Sequence, residues 1–129
     1  MSSRTVSDPR STRPEDFSAL DWIGAAAASI GGMSLFALAL TSRSFADIFH
    51  DFGGPLPALT RLAISRWFPT LLGGLVGVGV ALGLRPSASL GARRAWIVAA
   101  FLVSAAGFAL CLIGFYLPVF EMAGSIRED

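Results

Sequence analysis

Long uncharged apolar segments alternate with shorter polar segments along the chain. No charged residue occurs within residues 22–40, 67–84 or 95–120. At 1.5 Å per helical residue, 19 residues span about 28 Å, close to the thickness of the hydrocarbon core of a bilayer. An aromatic side chain stands at the start of each segment or near its end, as in membrane proteins (Trp22, Trp67, Trp96 and Tyr116). The pattern predicts an all-α membrane protein with three transmembrane helices, at about residues 22–40, 67–84 and 95–120.

The polar segments define the rest of the organisation. Residues 1–21 are rich in Ser, Pro, Arg and Asp and cannot bury a core, so we expect a disordered tail. Residues 22–120 form the predicted three-helix membrane domain, with an interfacial loop at residues 41–66. Residues 121–129 form a short polar C-terminal tail.

The loop at residues 41–66 mixes apolar and polar positions at a helical spacing. Its apolar members lie at i, i+3, i+4 and i+7, which predicts a helix with one apolar stripe (Phe45, Ile48, Phe49 and Phe52). Asp47, His50 and Asp51 fall on the opposite face. The pattern therefore predicts an amphipathic helix that lies in the membrane interface.

A turn and a second amphipathic segment follow this helix. Two glycines and a proline at residues 53–55 predict a sharp change of direction. Leu59, Leu62 and Ala63 then form a second apolar stripe, with Arg61 and Arg66 facing away. Together the two segments predict a bent pair of interfacial helices between the first and second spans.

The first apolar segment has a second interpretation, a cleaved signal peptide. Ala37-Leu38-Ala39 resembles a small-residue cleavage site. The preceding 21 residues contain three arginines and four acidic residues, which is too acidic for a typical signal. We therefore expect a retained membrane anchor.

Arginine counts in the flanking segments predict the orientation. The tail and the loop between the second and third spans together carry six arginines, three of them Arg85, Arg93 and Arg94. The first loop and the C-terminal end carry four. The bias predicts a cytoplasmic N-terminus, with the first loop and the C-terminus outside.

Composition excludes some classes of partner and chemistry. The net charge is +1, so nothing favours nucleic acid as a partner, whereas the mean hydropathy of +0.64 favours the lipid bilayer. Cys111 is the single cysteine, so no intramolecular disulfide can form.

Small residues recur every four positions in the apolar segments. The second span contains Gly73-x-x-x-Gly77 and Gly79-x-x-x-Gly83, while Gly24, Ala28 and Gly32 follow this spacing in the first, and Gly107 and Cys111 in the third. Such residues let helix backbones approach closely in lipid. We expect them to pack the three helices of one chain; homo-oligomerisation through the glycine-rich second span is the alternative.

Candidate catalytic groups are few. Asp47 and His50 lie three residues apart on one helical face, but a metal site needs a third or fourth ligand and none has a suitable spacing. We interpret this pair as a solvated polar face. We expect no cofactor, no metal and no enzymatic activity.

Transport is the competing class of function. Ion carriers place ionisable residues within their spans, and none lies in these segments. A small oligomeric transporter or pore for a neutral solute stays as the alternative to a structural role.

Two elements resemble a known family. The pattern Phe45-x-x-x-Phe49-x-x-Phe52-Gly53-x-x-Leu56-Pro57-x-x-Thr60-Arg61 is similar to the segment after the first transmembrane helix of the type II secretion F protein family. These are polytopic inner-membrane platform proteins of type II secretion and type IV pilus machines. Residues 116–122, with Leu117-Pro118-x-Phe120, resemble the short element that closes the last helix of that family.

The resemblance covers residues 36–122 and lacks the two cytoplasmic helical domains of the family. It implies a non-catalytic scaffold subunit in the bacterial inner membrane, with other membrane or secretion-machine subunits as partners. The residues that it marks for interaction or structure are Phe45, Phe49, Phe52, Gly53, Leu56, Pro57, Thr60, Leu117, Pro118 and Phe120.

Overall fold

The computed structural model describes residues 17–51, 53 and 55–125, and its secondary structure is helical. Four helices follow one another: α1 (Ala19–Asp51), α2 (Ala58–Ala63), α3 (Trp67–Gly83) and α4 (Leu90–Ser125). No strand occurs in these ranges, so the all-α prediction is confirmed for them. Phe52, Gly54 and the predicted tails at residues 1–16 and 126–129 lie outside the described residues.

The three longer helices form one bundle with a regular register. α1 and α4 run parallel, since Gly24 lies against Ile97 and Gly31 against Ser104. α3 runs antiparallel to both, since Gly32 packs on Val76 and Gly79 on Ala100. The start of α1, the end of α3 and the start of α4 therefore lie at one end of the bundle, which we call the near end. The far end holds the end of α1, α2, the start of α3 and the end of α4.

The helices meet through small side chains. The buried positions of α1 recur at alternating intervals of three and four residues up to position 42 (Ala25, Ala28, Gly32, Leu35, Ala39 and Ser42) and continue at Phe49. On α3 the buried residues include Gly73, Gly79 and Gly83. Glycine, alanine and serine leave the backbones free to approach closely.

Large apolar side chains lie mostly on the outside of the bundle. Examples are Ile30 at 66% exposed, Met33 at 72% and Leu102 at 60%. By length and composition, α1 and residues Leu90–Glu121 of α4 are each able to cross a membrane. In the most apolar 18-residue stretch of each, 28% of α1 and 33% of α4 is buried. α3 is more apolar than either but shorter, at 17 residues.

The prediction of a separate helix after the first span is wrong. α1 is one helix of 33 residues from Ala19 to Asp51, about 50 Å long, so residues 41–51 belong to it and not to a loop. The buried stripe explains the continuity, because Ser42 and Phe49 stay in register with Ala39. Only the second member of the predicted pair, α2, is a helix of its own.

The predicted tail at residues 1–21 is also too long. Ser18 and Asp21 cap the start of α1: the Ser18 N–H donates to Asp21 Oδ2 at 2.9 Å, and the Asp21 N–H donates to Ser18 Oγ at 3.4 Å. This reciprocal pair is a capping box, which satisfies amide groups that lack a partner within the helix. Phe17 packs on Trp22, with ring centroids 5.8 Å apart.

The last helix is longer than residues 95–120 at both ends. α4 begins at Leu90, continues through Pro118 and ends at Ser125, so the element at residues 116–122 does not close the helix and the tail does not begin at residue 121. Proline lacks the N–H that would bond the carbonyl of Gly114. Neighbouring elements can support such a proline, and Pro118 is buried.

Candidate functional site

Most of the predicted site residues gather at the far end of the bundle. Phe45 on α1 packs on Phe115 of α4, with ring centroids 4.8 Å apart, and Phe49 is buried at 8% exposure. Ile48 is half exposed, while Asp47 and His50 lie on the exposed side of α1. The amphipathic pattern predicted for this segment is therefore present, on the extension of a long helix.

A tight turn ends α1 and redirects the chain. Gly53 has φ +67°, a left-handed conformation that glycine adopts without a steric penalty. Its N–H donates to the His50 carbonyl at 3.3 Å. Pro57 then precedes α2, and its carbonyl accepts the Arg61 N–H at 3.0 Å. Gly53 and Pro57 thus act where the sequence pattern placed the turn and the start of the second helix.

α2 packs directly on the backbone of α4. A Cβ atom at Gly114 would lie 2.6 Å from the Ala63 Cβ and 3.1 Å from the Leu59 carbonyl oxygen. Ala63 and Thr60 are buried, and Thr60 Oγ1 has no hydrogen-bond partner among the described residues. The contact fixes the position of α2 through shape and not through polar bonds.

The other predicted site residues lie around this contact. Leu56 lines an open depression of about 490 Å³ together with His50 and Arg61. Leu117 is half-buried, Pro118 is buried, and Phe120 is 72% exposed, away from the bundle. The two segments that resemble the platform family therefore lie at the same end of the molecule. Phe52 lies outside the described residues.

This end offers a contact surface. An apolar groove of about 390 Å³ between α1 and α4 is lined by Phe45, Ile48, Phe115 and Tyr116, among others. Within the described ranges, no three His, Cys, Asp or Glu residues come close enough to hold a metal ion. The far end therefore presents an apolar groove.

At the near end, the structure contains an ion pair that the sequence analysis did not identify. The Arg94 Nε donates to Asp21 Oδ1 at 3.0 Å and to Oδ2 at 3.1 Å, and Nη2 donates to Oδ2 at 3.1 Å. These bonds join α1 to α4 across 73 positions of sequence. The hydrogen bonds from Arg94 hold the pKa of Asp21 below its usual range, and the Ser18 N–H lowers it further, although burial opposes them. The motif Ser18-x-x-Asp21 was a usable signal for the cap, but nothing in the sequence indicated Arg94 as its partner.

Arg93 of α4 connects two other parts of the near end. Its guanidinium carbon lies 3.6 Å from the centre of the Phe17 ring, a cation–π contact. Its Nε donates to the Gly83 carbonyl at the end of α3, at 3.2 Å. The arginines that the sequence analysis used only to predict orientation thus also hold the helix ends together.

The glycine motifs divide between the interior and the surface. Gly73 packs against Phe36, and Gly79 and Gly83 face α4, whereas at Gly74 and Gly77 an added Cβ would meet open space. Three glycines of α3 therefore serve contacts within the chain, as expected. Homo-oligomerisation through this helix stays a prediction.

In comparisons with protein-family models, curated proteins and solved structures, nothing was found to match this chain. The resemblance to platform proteins of secretion machines therefore rests on the residues of its two segments alone.

Proposed function

We propose that the chain is a small three-span protein of the bacterial inner membrane with a non-catalytic scaffold role. A single observation carries the proposal of membrane insertion. The charged residues of the packed helices lie at two levels along the bundle axis, one at each end. Gly32 on α1 faces Val76 on α3, and Phe36 faces Gly73. When this register is continued along the two helices, Arg43 is level with Arg66 at the far end. At the near end, Asp21 pairs with Arg94, and Arg85 follows the end of α3.

The uncharged layer between these two levels has the thickness of a bilayer core. Asp21 and Arg43 are 22 residues apart on α1, about 33 Å, and Arg66 and Arg85 are 19 residues apart across α3, about 28 Å. The hydrocarbon core of a bilayer is about 30 Å thick. α1 and α3 therefore agree on one uncharged layer, while on α4 the uncharged run from Arg94 to Glu121 is longer, at 27 residues or about 40 Å. The agreement of α1 and α3 supports three spans, although α3 alone is short.

The distribution of side-chain size also supports insertion. In water, large apolar side chains are buried and drive folding. In this bundle Ala28 and Leu35 are fully buried while Leu40 and Leu102 are 72% and 60% exposed, and apolar surface of that kind around a whole bundle suits lipid. A soluble bundle would need a partner to cover this surface.

Packing of α1 supports a retained anchor over a cleaved signal. Cleavage after Ala39 would remove the segment that contacts Ile97, Ser104 and Val76. Those contacts extend along α3 and α4, so the remaining helices would lose one wall of their core. We therefore propose that α1 stays in the mature protein with its N-terminus in the cytoplasm, as the arginine bias predicts.

The scaffold role rests on the far end. α1 and α4 are about 50 and 54 Å long at 33 and 36 residues, so both extend well beyond a bilayer core. Their extensions hold the apolar groove with Phe45 and Tyr116. A membrane-anchored apolar surface, together with the resemblance to platform proteins, supports docking of another membrane or secretion-machine subunit outside the membrane.

The topology is tested by cysteine accessibility in a Cys111→Ala background. Ser87 lies in the loop at the near end and Ala58 begins α2 at the far end, both exposed. In intact cells, an impermeant maleimide should label Ala58→Cys and should label Ser87→Cys only after permeabilisation. Labelling of both positions from outside would contradict the three-span arrangement.

The scaffold role is tested at the turn. Gly53→Val places a β-branched residue at φ +67°, which is costly, so α2 should be displaced while the spans still insert. Gly77→Val is the matched control, because Gly77 faces open space within a helix. Loss of a cross-linked partner from Gly53→Val but not from Gly77→Val supports the scaffold. If Gly53→Val instead changes solute flux in reconstituted vesicles and loses no partner, the chain is a transporter.

A further inference from the structure

We propose that the groove between α1 and α4 at the near end binds one anionic phospholipid, with an acyl chain in the groove and the phosphate on Arg94. This inference rests on the proposed membrane insertion. It assigns a specific ligand to a surface at the end of the molecule opposite the scaffold site.

The groove is apolar with a charged rim. It has a volume of about 530 Å³ and is lined by residues of α1 and α4 alone. Its walls are Ile23, Ala27, Ile97, Val98 and Phe101, and its rim is the Asp21–Arg94 pair. A single charged end on an otherwise apolar channel matches the distribution of polarity in a phospholipid.

The walls favour an acyl chain over a helix. Gly24 and Ala27 line the groove, but its other lining residues are larger. Where helices of this bundle meet, they do so at Gly31, Gly79, Gly83 and other small residues. The groove walls instead bear Ile23 at 63%, Val98 at 56% and Phe101 at 44% exposed. Large branched and aromatic side chains hold a second helix backbone away, but they leave a channel for a thin flexible chain.

The rim favours an anionic headgroup. The Arg94 side chain is 47% exposed whereas that of Asp21 is 12% exposed, so the guanidinium stays open while the carboxylate is shielded. Asp21 takes bonds from Nε and Nη2. Nη1 has no partner among the described residues, so it can donate to a phosphate oxygen. Asp21 thus orients the guanidinium.

The charge around the groove rim is positive, and it lies at the end of the bundle where an anionic headgroup would lie. Within residues 17–51, 53 and 55–125, the near end carries Arg85, Arg93 and Arg94 against Asp21 alone, a net charge of +2. Basic groups at the cytoplasmic ends of transmembrane helices attract anionic lipids. Trp22 and Trp96, 59% and 46% exposed, are adjacent in sequence to the groove residues Ile23 and Ile97, and tryptophan is enriched at the level of lipid headgroups.

The test is native mass spectrometry of the full chain released from micelles that contain equal amounts of phosphatidylglycerol and phosphatidylcholine. The wild-type chain should retain phosphatidylglycerol in preference. Arg94→Gln should lower retained phosphatidylglycerol about tenfold, as expected for loss of a charge-assisted hydrogen bond. Ala27→Leu should lower retention of both lipids, because it fills the groove.

Three controls separate a lipid site from its rivals. Arg85→Gln removes the same charge from the same end but outside the groove, so it should lower phosphatidylglycerol retention much less than Arg94→Gln does. Ala81→Leu adds the same volume on the exposed face of α3 and should not change retention. Asp21→Asn breaks the same ion pair as Arg94→Gln but leaves the arginine. It should retain clearly more phosphatidylglycerol than Arg94→Gln, because the guanidinium that binds the phosphate is still present.

Several results would overturn the inference. One is equal retention of the two lipids by the wild-type chain. Another is a loss of retained phosphatidylglycerol that is as large in Arg85→Gln, or in Asp21→Asn, as in Arg94→Gln. Dimers that disappear in Ala27→Leu would show that a second copy fills the groove. In all these cases the chain still sediments with membranes, so the proposed function is not affected. Recovery of the chain in the soluble fraction, without lipid or detergent, would contradict the proposed function itself.

Discussion

Single glycines decide how closely the elements of this molecule approach. At Gly31 an added Cβ would collide with Ser104, and at Gly83 it would lie 2.7 Å from the Ile97 side chain. Side chains can partly rotate away from such contacts. Gly114 is more restricted, because its neighbours are the Ala63 Cβ and a backbone carbonyl, neither of which can move without moving α2.

We therefore predict that Gly114→Ala displaces α2 from α4. Overpacking of this kind costs about 1–3 kcal/mol, so the unfolding midpoint in detergent should fall. Gly77→Ala, at a helical position that faces open space, is the matched control and should leave the midpoint nearly unchanged. Thermal unfolding of the two variants measures the difference.

A second substitution identifies the cause. Ala63→Gly removes the atom that would lie 2.6 Å from the new methyl group, so Ala63→Gly combined with Gly114→Ala should recover part of the lost stability. The Leu59 carbonyl oxygen, at 3.1 Å, limits that recovery. Additive losses in the double variant would contradict a direct clash between the two positions.

At the scale of elements, the buried stripe of α1 determines its length. The polar residues Arg43, Asp47 and His50 lie on the exposed face, while Ser42 and Phe49 continue the buried face. A helix continues as long as one face stays packed, so the change from an apolar to a mixed sequence does not end it. Residues 42–51 are the part of α1 that joins its uncharged segment to the candidate site.

We predict that spin labels at Met33 and Asp47, both exposed on α1, give a single narrow distance distribution. Fourteen residues of continuous helix correspond to a rise of about 21 Å. Labels at Val98 and Leu112, also 14 residues apart and exposed on α4, provide the matched control. A shorter and broader distance for the α1 pair alone, measured by pulsed dipolar spectroscopy, would indicate a bend and a separate interfacial helix.

At the scale of the whole molecule, the two ends are held by different means. The far end is closed by apolar contacts around Phe115 and Gly114. The near end is closed by polar contacts of Arg93 and Arg94. The polar end should therefore respond to pH more strongly than the apolar end.

We predict that the chain loses stability in acid through Asp21. The hydrogen bonds from Arg94 lower the pKa of Asp21 from its usual value of 3.8, so folding favours the ionised carboxylate. That contribution is complete above pH 3.8 and disappears as the pH falls through the lower pKa of the folded state. Unfolding midpoints between about pH 6 and 2 should fall more for the wild type than for Asp21→Asn.

Asp47→Asn is the control for this experiment, because it removes an exposed carboxylate from the same helix but not from the ion pair. Its midpoints should follow the acid dependence of the wild type. If Asp21→Asn and the wild type lose stability in parallel, then the ion pair does not contribute to the closure of the near end.

The sequence by itself determined the helical class and the approximate positions of the three apolar helices. Uncharged runs bounded by tryptophan are local features, and so are the turn at Gly53 and the start of α2 after Pro57. The small residues at intervals of four also marked most of the faces that pack, although Gly77 faces open space. Each of these depends on residues within one or two helical turns of each other, so spacing alone carries the information.

Only the tertiary structure decided where the helices begin and end and which residues meet. α1 continues to Asp51 because α4 packs against its polar extension, and α4 continues past Pro118 although proline costs it a backbone hydrogen bond. The Asp21–Arg94 pair joins positions 73 residues apart, and the contact of Ala63 with Gly114 depends on how α2 lies on α4. Such contacts depend on the register between helices. Packing between side chains that are far apart in sequence sets this register, so no local sequence pattern predicts it.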